Sequence, residues 1–179
     1  MVHGTAIEQL YERGMTHYKA DEYDKAITAF SEAIARDPAY ADAYYKRGNA
    51  YRDIVDFDNA IIDYTKTIAL APNHTDAYYN RGKIYVEDDR YTDAIEDFGM
   101  AIRCDSEHSD AHGYRADLYL YQGRYDSAIE GYSEELRLRP DDPEVYYNRS
   151  KTYEKKGDYR NALEDYKKAV KLQYETIET

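Results

Sequence analysis

The sequence has few of the residues that characterise disulfide-rich or membrane-spanning proteins. Its 179 residues include one cysteine, four prolines, three phenylalanines and no tryptophan. The single cysteine, Cys104, excludes an internal disulfide framework. No apolar run is long enough for a membrane span, and residues 1–5 lack the charged and apolar regions of a secretory signal. We therefore expect a protein without a membrane partner, located in the cytoplasm.

Positive charge is also scarce. The 24 lysines and arginines are outnumbered by 36 aspartates and glutamates, which gives a formal net charge of −12. The acidic excess is concentrated in residues 75–142, whereas residues 143–176 carry two more basic than acidic side chains. Such a field repels nucleic-acid phosphates and attracts cationic segments. We expect a protein partner with net positive charge, and no nucleic acid.

Catalytic and metal-binding motifs are absent from the sequence. There is no glycine-rich phosphate loop, no G-x-S-x-G and no cysteine–histidine arrangement. His108 and His112 are four residues apart, but no third neutral ligand for a zinc site is evident. Residues 53–58 lack the glycine of a calcium loop, and Tyr64 occupies the place of its twelfth-position glutamate. The prediction is no catalytic residue, no metal and no cofactor, so not an enzyme.

An internal repeat of 34 residues organises the chain. Read from Ile7, it recurs five times without insertion or deletion, which is the signature of a repeat architecture. Small residues stand at place 8 of each repeat, alanine at place 20 and an aromatic residue at place 24. Proline stands at place 32 in three repeats. The repeats are residues 7–40, 41–74, 75–108, 109–142 and 143–176.

These columns resemble those of the tetratricopeptide repeat family, in which each unit is a pair of antiparallel helices. The resemblance covers 170 of the 179 residues. It implies an all-α fold, a right-handed superhelical solenoid of five helix-turn-helix units, which we take as one domain over residues 1–179. Small residues at place 8 facing alanine at place 20 would let the paired helices approach closely. We expect ten helices, with hairpin turns near residues 20–23, 54–57, 88–91, 122–125 and 156–159.

In this family the first helices line a concave groove, so places 2, 5, 9 and 12 should form its floor. Place 2 is acidic in every repeat and place 5 is tyrosine in four. Tyrosine gives a large contact area and a hydroxyl that can bond a peptide backbone. Two alternatives remain open: the tyrosines pack between repeats, and the acidic residues favour helix N-termini. The candidate groove residues are Tyr11, Tyr45, Asn49, Asp76, Tyr79, Lys83, Val86, Asp110, Leu120 and Tyr147.

The clamp with which some family members hold the C-terminal carboxylate of chaperones is not expected. In the register that fits best, the two asparagines are present as Asn49 and Asn80, but every cation is missing. Tyr45, Asp110 and Tyr114 stand in their places. A terminal carboxylate would be repelled by Asp110 rather than held by charged donors.

Arginine at place 7 is the most regular charged column. We predict that Arg47, Arg81 and Arg149 bridge to the aspartates at place 23 of the same repeats, because planar guanidinium suits a partly buried pair. These aspartates are Asp63, Asp97 and Asp165. The fourth repeat has Gly131 at that place, so Arg115 is predicted to bond Glu135 instead. The fourth repeat also has Gly113 in the tyrosine column, a notch where a bulky partner side chain could insert.

The sequence therefore predicts a binding module that captures a peptide or helix of another protein in its groove. A structural role is the alternative, in which copies of the chain pair through the C-terminal edge that Tyr166, Ala169 and Val170 leave open. A third interpretation is that the chain is a fragment of a larger multidomain protein.

Overall fold

A computed structural model describes residues 5–177, and these residues contain ten α-helices and no strand. Each repeat supplies two helices, and the turns between them lie where the sequence predicts. The all-α fold of paired helices is confirmed. The helices are α1 (Ala6–Lys19), α2 (Tyr23–Arg36), α3 (Ala41–Asp53), α4 (Phe57–Leu70), α5 (Thr75–Glu87), α6 (Tyr91–Cys104), α7 (Ser109–Tyr121), α8 (Tyr125–Leu138), α9 (Pro143–Lys156) and α10 (Tyr159–Ile177).

Local sequence signals explain where the helices begin and turn. The predicted capping box at the start of α1 is present: Glu8 N donates to Thr5 Oγ1 at 3.3 Å and Thr5 N donates to the Glu8 carboxylate at 2.7 Å. The turn within each repeat places one residue in the left-handed region. Glycine occupies that place in the last two repeats, but Val55 occupies it in the second, with φ of 62°.

The core of each helix pair is formed by the columns that the repeat defines. The alanines at place 20 are buried, and the aromatic rings at place 24 are completely buried in the first four repeats. Gly14 shows why place 8 is small, since a Cβ atom there would lie 2.5 Å from the ring of Phe30. At Gly48 it would lie 3.0 Å from the ring of Tyr64. Close approach of the paired helices is therefore confirmed for these repeats.

The helices form two compact units, one ending at Arg90 and one starting at Tyr91. In the first unit α2 packs on α3 and α4 packs on α5. In the second unit α6 packs on α7 and α8 packs on α9. The second helix of a repeat is thus covered by the first helix of the next repeat. A single domain over residues 1–179 remains a prediction.

None of the helices in residues 5–177 has both the length and the apolar character that a membrane crossing requires.

Candidate functional site

Tyr11 and Tyr45, the tyrosines of place 5 in the first two repeats, pack against aromatic rings of their own repeats. The ring of Tyr11 lies 5.7 Å from that of Phe30 and 5.2 Å from that of Tyr40, between ring centroids. Burial raises the pKa of Tyr11 to about 12. The ring of Tyr45 lies 4.4 Å from the imidazole of His74. The rings of Tyr11 and Tyr45 are only partly buried, so each packs against its neighbours and keeps an edge accessible to solvent.

A polar network fixes the position of Tyr45. The hydroxyl of Tyr45 accepts a hydrogen bond from Nδ2 of Asn80 at 3.1 Å. The same Nδ2 lies 3.4 Å from Oδ1 of Asn49, which also accepts from the Tyr64 hydroxyl at 2.8 Å. Asn49, one of the expected groove residues, is therefore 7% exposed and serves as a buried acceptor. Its position orients the tyrosine rather than presenting an amide to a ligand.

The acidic residues of place 2 are exposed in all five repeats. They lie in the first turn of their helices, where a negative charge is favoured by the helix dipole. Neither Asp42 nor Asp76 has a hydrogen-bond or ion-pair partner among the described residues. Asp110 pairs with Nη1 of Arg139 at 3.0 Å. The column consists of Glu8, Asp42, Asp76, Asp110 and Glu144.

The other candidate residues occupy partly exposed positions on the first helices. On α5, the Lys83 ammonium lies 5.7 Å from the centroid of the Tyr79 ring, and Val86 lies two turns from that tyrosine. In the second unit Leu120 packs on the buried cluster that contains Leu136. Tyr147 on α9 is 44% exposed. The structure thus places the candidate residues of each unit on its first helices. The side chains of these other candidates are partly exposed, and several of them also pack against neighbouring residues.

Arg47 and Arg149, the place-7 arginines of the second and fifth repeats, are held by carboxylates as predicted. Nε and Nη2 of Arg47 each donate to the Asp63 carboxylate at 2.8 Å. Arg149 donates to Asp165 in the same way, at 2.7 and 2.9 Å. Such bidentate pairs orient both side chains and keep these guanidiniums from serving as free ligand-binding groups.

A second partner of this arginine column comes from the preceding repeat. Nη1 of Arg47 donates to Ser31 at 2.9 Å, and Nη1 of Arg149 donates to Ser133 at 2.9 Å. Nη1 of Arg81 donates to Thr65 at 2.8 Å. Each hydroxyl residue stands at place 25 of the repeat before. This link between repeats was not predicted, although the hydroxyl residues at place 25 are a signal visible in the sequence.

The prediction that Arg115 bonds Glu135 is wrong. Glu135 is bonded by Nη2 of Arg139, the C-cap residue that directly follows α8. The physical reason lies at Gly113, where an added Cβ atom would meet the Glu135 carboxylate at 2.5 Å. The missing side chain leaves room for this carboxylate next to α7, on the side away from Arg115. Burial raises the pKa of Glu135 to about 7, against the opposing effect of Arg139.

Gly113 also lies in the wall of an acidic pocket, at the position where the sequence indicates a notch. The pocket has a volume of about 270 Å³ and contains five carboxylates and one arginine. Asp110 and Glu144 in its wall belong to the exposed acidic column. The lining residues are Asp110, Gly113, Tyr114, Asp117, Glu135, Arg139, Asp142, Glu144, Val145 and Asn148.

His74, His108 and His112 serve as local structural groups. Nδ1 of His74 and of His108 each accepts from a backbone N–H three residues later, at 3.2 Å, and so caps α5 and α7. Nε2 of His112 lies 3.1 Å from the carbonyl oxygen of Ser106. Burial lowers the pKa of His112. These contacts give His108 and His112 structural roles in the second compact unit.

Comparisons with known proteins agree with the repeat pattern. Family models described as TPR repeat or tetratricopeptide repeat match residues 14–55, 41–74, 63–96, 116–157 and 143–176. A search of curated protein sequences gives no significant match. A crystal structure of MamA protein is similar with a TM-score of 0.88 and 26% identity, over 96% of this chain and 94% of that one.

Two further solved structures share the fold at lower identity. MamA from Desulfovibrio magneticus RS-1 has a TM-score of 0.85 and 17% identity, over 96% of this chain and 97% of that one. YrrB, described as a TPR protein with an unusual peptide-binding site, has a TM-score of 0.82 and 21% identity, over 92% of this chain and 84% of that one. The repeat columns, the helix pairs and the family matches lead to one assignment. The chain belongs to the tetratricopeptide repeat family.

Proposed function

We propose that this protein is an interaction module that binds a cationic segment of a partner protein on the first-helix face of its compact units. The observation that carries the proposal is the exposed carboxylate at place 2 of every repeat. Partly buried tyrosines beside these carboxylates supply apolar contact area. The fold shared with YrrB, whose description includes a peptide-binding site, supports a peptide or helix as the bound form. The proposal includes no catalytic activity and a cytoplasmic location.

The acidic pocket beside Gly113 offers a place for a lysine or arginine side chain of the partner. Arg139 already lies in this pocket, where Asp110 and Glu135 bond its guanidinium. The carboxylates of Asp117 and Glu144 line the same pocket and carry further negative charge. Charge-assisted hydrogen bonds to carboxylates are the strong ones, so a partner cation would be held with orientation as well as attraction.

Peptide display against the purified protein tests the proposal. We expect the selected peptides to be enriched in lysine and arginine next to aromatic or aliphatic residues. Replacing Asp42→Asn and Asp76→Asn together should slow association of a selected peptide and reduce its salt dependence, since charge complementarity acts chiefly on the on-rate. The matched control is Asp24→Asn with Asp58→Asn. These acids are also exposed, and they occupy the first turns of second helices.

The two double variants separate face-specific binding from general electrostatics. Each removes two negative charges from the first turns of helices, so the net charge and the interaction with the helix dipole change equally. We expect the control to associate nearly as fast as the unchanged protein. Equal slowing in both variants, or selection of acidic peptides, would contradict the first-helix face as the binding surface.

A second candidate function is structural pairing through the edge of the last repeat. Tyr159, Leu163 and Tyr166 are exposed on α10, the second helix of the last repeat. In the other repeats, the second helix is covered by the first helix of the next repeat. Head-to-tail stacking on α1 is disfavoured, because the residues of α1 at places 3 and 10 are the exposed polar Gln9 and Thr16. The corresponding residues of the other first helices are buried.

Pairing between two such edges is testable by light scattering over a range of concentrations. Self-association through this edge predicts a dimer that Leu163→Glu abolishes. A mass independent of concentration and equal to that of one chain would leave only the binding-module function.

A further inference from the structure

Arg115 of the place-7 column has neither of the two partners that hold Arg47 and Arg149. The guanidinium in the second and fifth repeats is held by an aspartate at place 23 of its own repeat and by a serine at place 25 of the preceding one. For Arg115 both places are glycine, namely Gly131 and Gly99. Nε of Arg115 is buried and has no hydrogen-bond partner in residues 5–177.

The two glycines differ in how much space surrounds them. A Cβ atom on Gly131 would lie 2.8 Å from the Cβ of Ala116, so the helix crossing leaves no room for an aspartate there. A Cβ atom on Gly99 would meet only Nη1 of Arg115, at 3.7 Å, which is an ordinary contact. The space that a serine fills in other repeats is therefore open next to Arg115.

This space is part of a pocket between α6 and α7. The pocket has a volume of about 300 Å³, and Arg115 lies in its wall next to Gly99. Ile95, Met100 and Tyr119 supply apolar surface. The charged residues that line it are Arg115, Arg103 and Glu96, of which Glu96 and Arg103 are exposed. Two cations against one anion make this pocket locally positive in a chain of net charge −12.

We propose that this pocket binds a carboxylate that carries a short apolar stem, with Arg115 as the anchoring cation. At the same place of other repeats, Arg47 and Arg149 each bind a carboxylate bidentately. A carboxylate is therefore the ligand that suits a guanidinium at this place of the repeat. The stem lies against the apolar wall formed by Ile95 and Tyr119. The carboxylate belongs either to a free organic acid or to an acidic side chain of a partner. The site is independent of the acidic first-helix face.

Butyrate is the probe for this site, and the Nε–H resonance of Arg115 in ¹H–¹⁵N spectra is the readout. We expect a saturable shift of this resonance with butyrate, and none with butanol or with sodium chloride at equal ionic strength. Arg115→Gln removes this resonance, so the backbone amide of Gly99 is followed instead, and binding should weaken at least about tenfold, as removal of a charged hydrogen-bond partner does. Gly99→Ser should also weaken it, because the serine would place its hydroxyl at Nη1 of Arg115, as in the other repeats.

Ser31→Gly provides the matched control in the first compact unit. It creates the same glycine at place 25, but Arg47 keeps Asp63, so no butyrate shift of the Arg47 resonance is expected. A butyrate shift at Arg115 no larger than that with butanol would overturn the proposal. So would an equal response to inorganic phosphate, which would mark a general anion site. An amidated peptide with one glutamate, compared with its glutamine counterpart, then distinguishes a side-chain carboxylate from a free acid, and either source supports the site.

Discussion

Glu135 should make the stability of the protein depend on pH in a direction opposite to that of most carboxylates. Burial raises its pKa from 4.5 to about 7, and its side chain is 7% exposed. Because the folded protein holds a proton that the unfolded chain releases, the free energy of unfolding falls as the pH rises from about 4.5 to about 7. At 1.36 kcal/mol for each pKa unit, the loss is at most about 3 kcal/mol.

The substitution Glu135→Gln removes this titration while keeping the size of the side chain. Arg139 retains Asp110 as a partner in the variant. The difference in unfolding free energy, variant minus unchanged protein, should therefore grow by up to about 3 kcal/mol between pH 4.5 and 7 and stay constant above that.

Urea unfolding followed by far-ultraviolet circular dichroism at a series of pH values measures this difference. The control is Glu134→Gln, one residue away, where the pKa of an exposed carboxyl is lowered by its hydrogen bond to Arg137. The difference in unfolding free energy between Glu134→Gln and the unchanged protein should not grow with pH. A Glu135→Gln difference that stays flat or shrinks between pH 4.5 and 7 would refute the reasoning.

Three other substitutions test the packing and the backbone, each by urea unfolding. Val55→Gly should stabilise the protein by about 1 kcal/mol, because Val55 is 69% exposed and has φ of 62°, a conformation unfavourable for a β-branched residue; a loss of stability would contradict the strained turn. Gly14→Ala should destabilise it by about 1–3 kcal/mol through the contact with Phe30. Asp63→Asn should destabilise it by about 3 kcal/mol, since Arg47 loses a buried charged partner; an unchanged midpoint in either variant would contradict these contacts.

The fold was predictable because the repeat presents the same constraints five times. A small residue at place 8, alanine at place 20 and an aromatic ring at place 24 form one steric unit, as the contact between Gly14 and Phe30 shows. The arginine–aspartate pairs were predictable for the same reason. Their places face each other across the helix pairs of the second and fifth repeats, and a partly buried charge needs a partner.

The contacts in which the fourth repeat differs from the others could not be predicted from the residues at equivalent places of the repeats. Glu135 stands one helical turn from Gly131, and sequence spacing alone allows its carboxylate to turn toward Arg115 or toward Arg139. The choice depends on the free volume at Gly113, which is a property of packing between helices and not of spacing along one helix. The hydroxyl bonded by Arg47 is likewise supplied by a neighbouring repeat, so a search within one repeat misses it.

The candidate groove was only partly predictable. Asp76 and the other acids of place 2 lie in the first turn of a helix. The repeat determines which side of that helix faces the solvent, so their exposure could be predicted. The role of Tyr45 does not follow from its type, because an aromatic ring serves equally well for packing and for binding. The contacts with His74 and Asn80 show the packing role directly.

The most direct test of the binding face is to map where a cationic peptide docks. A display-selected peptide is titrated into the ¹⁵N-labelled protein, and backbone amide shifts are followed residue by residue. The account predicts that the largest shifts lie on the first helices, around exposed acids such as Asp42, Asp76 and Asp110. Largest shifts around Asp24 and Asp58, at the starts of second helices, would contradict it.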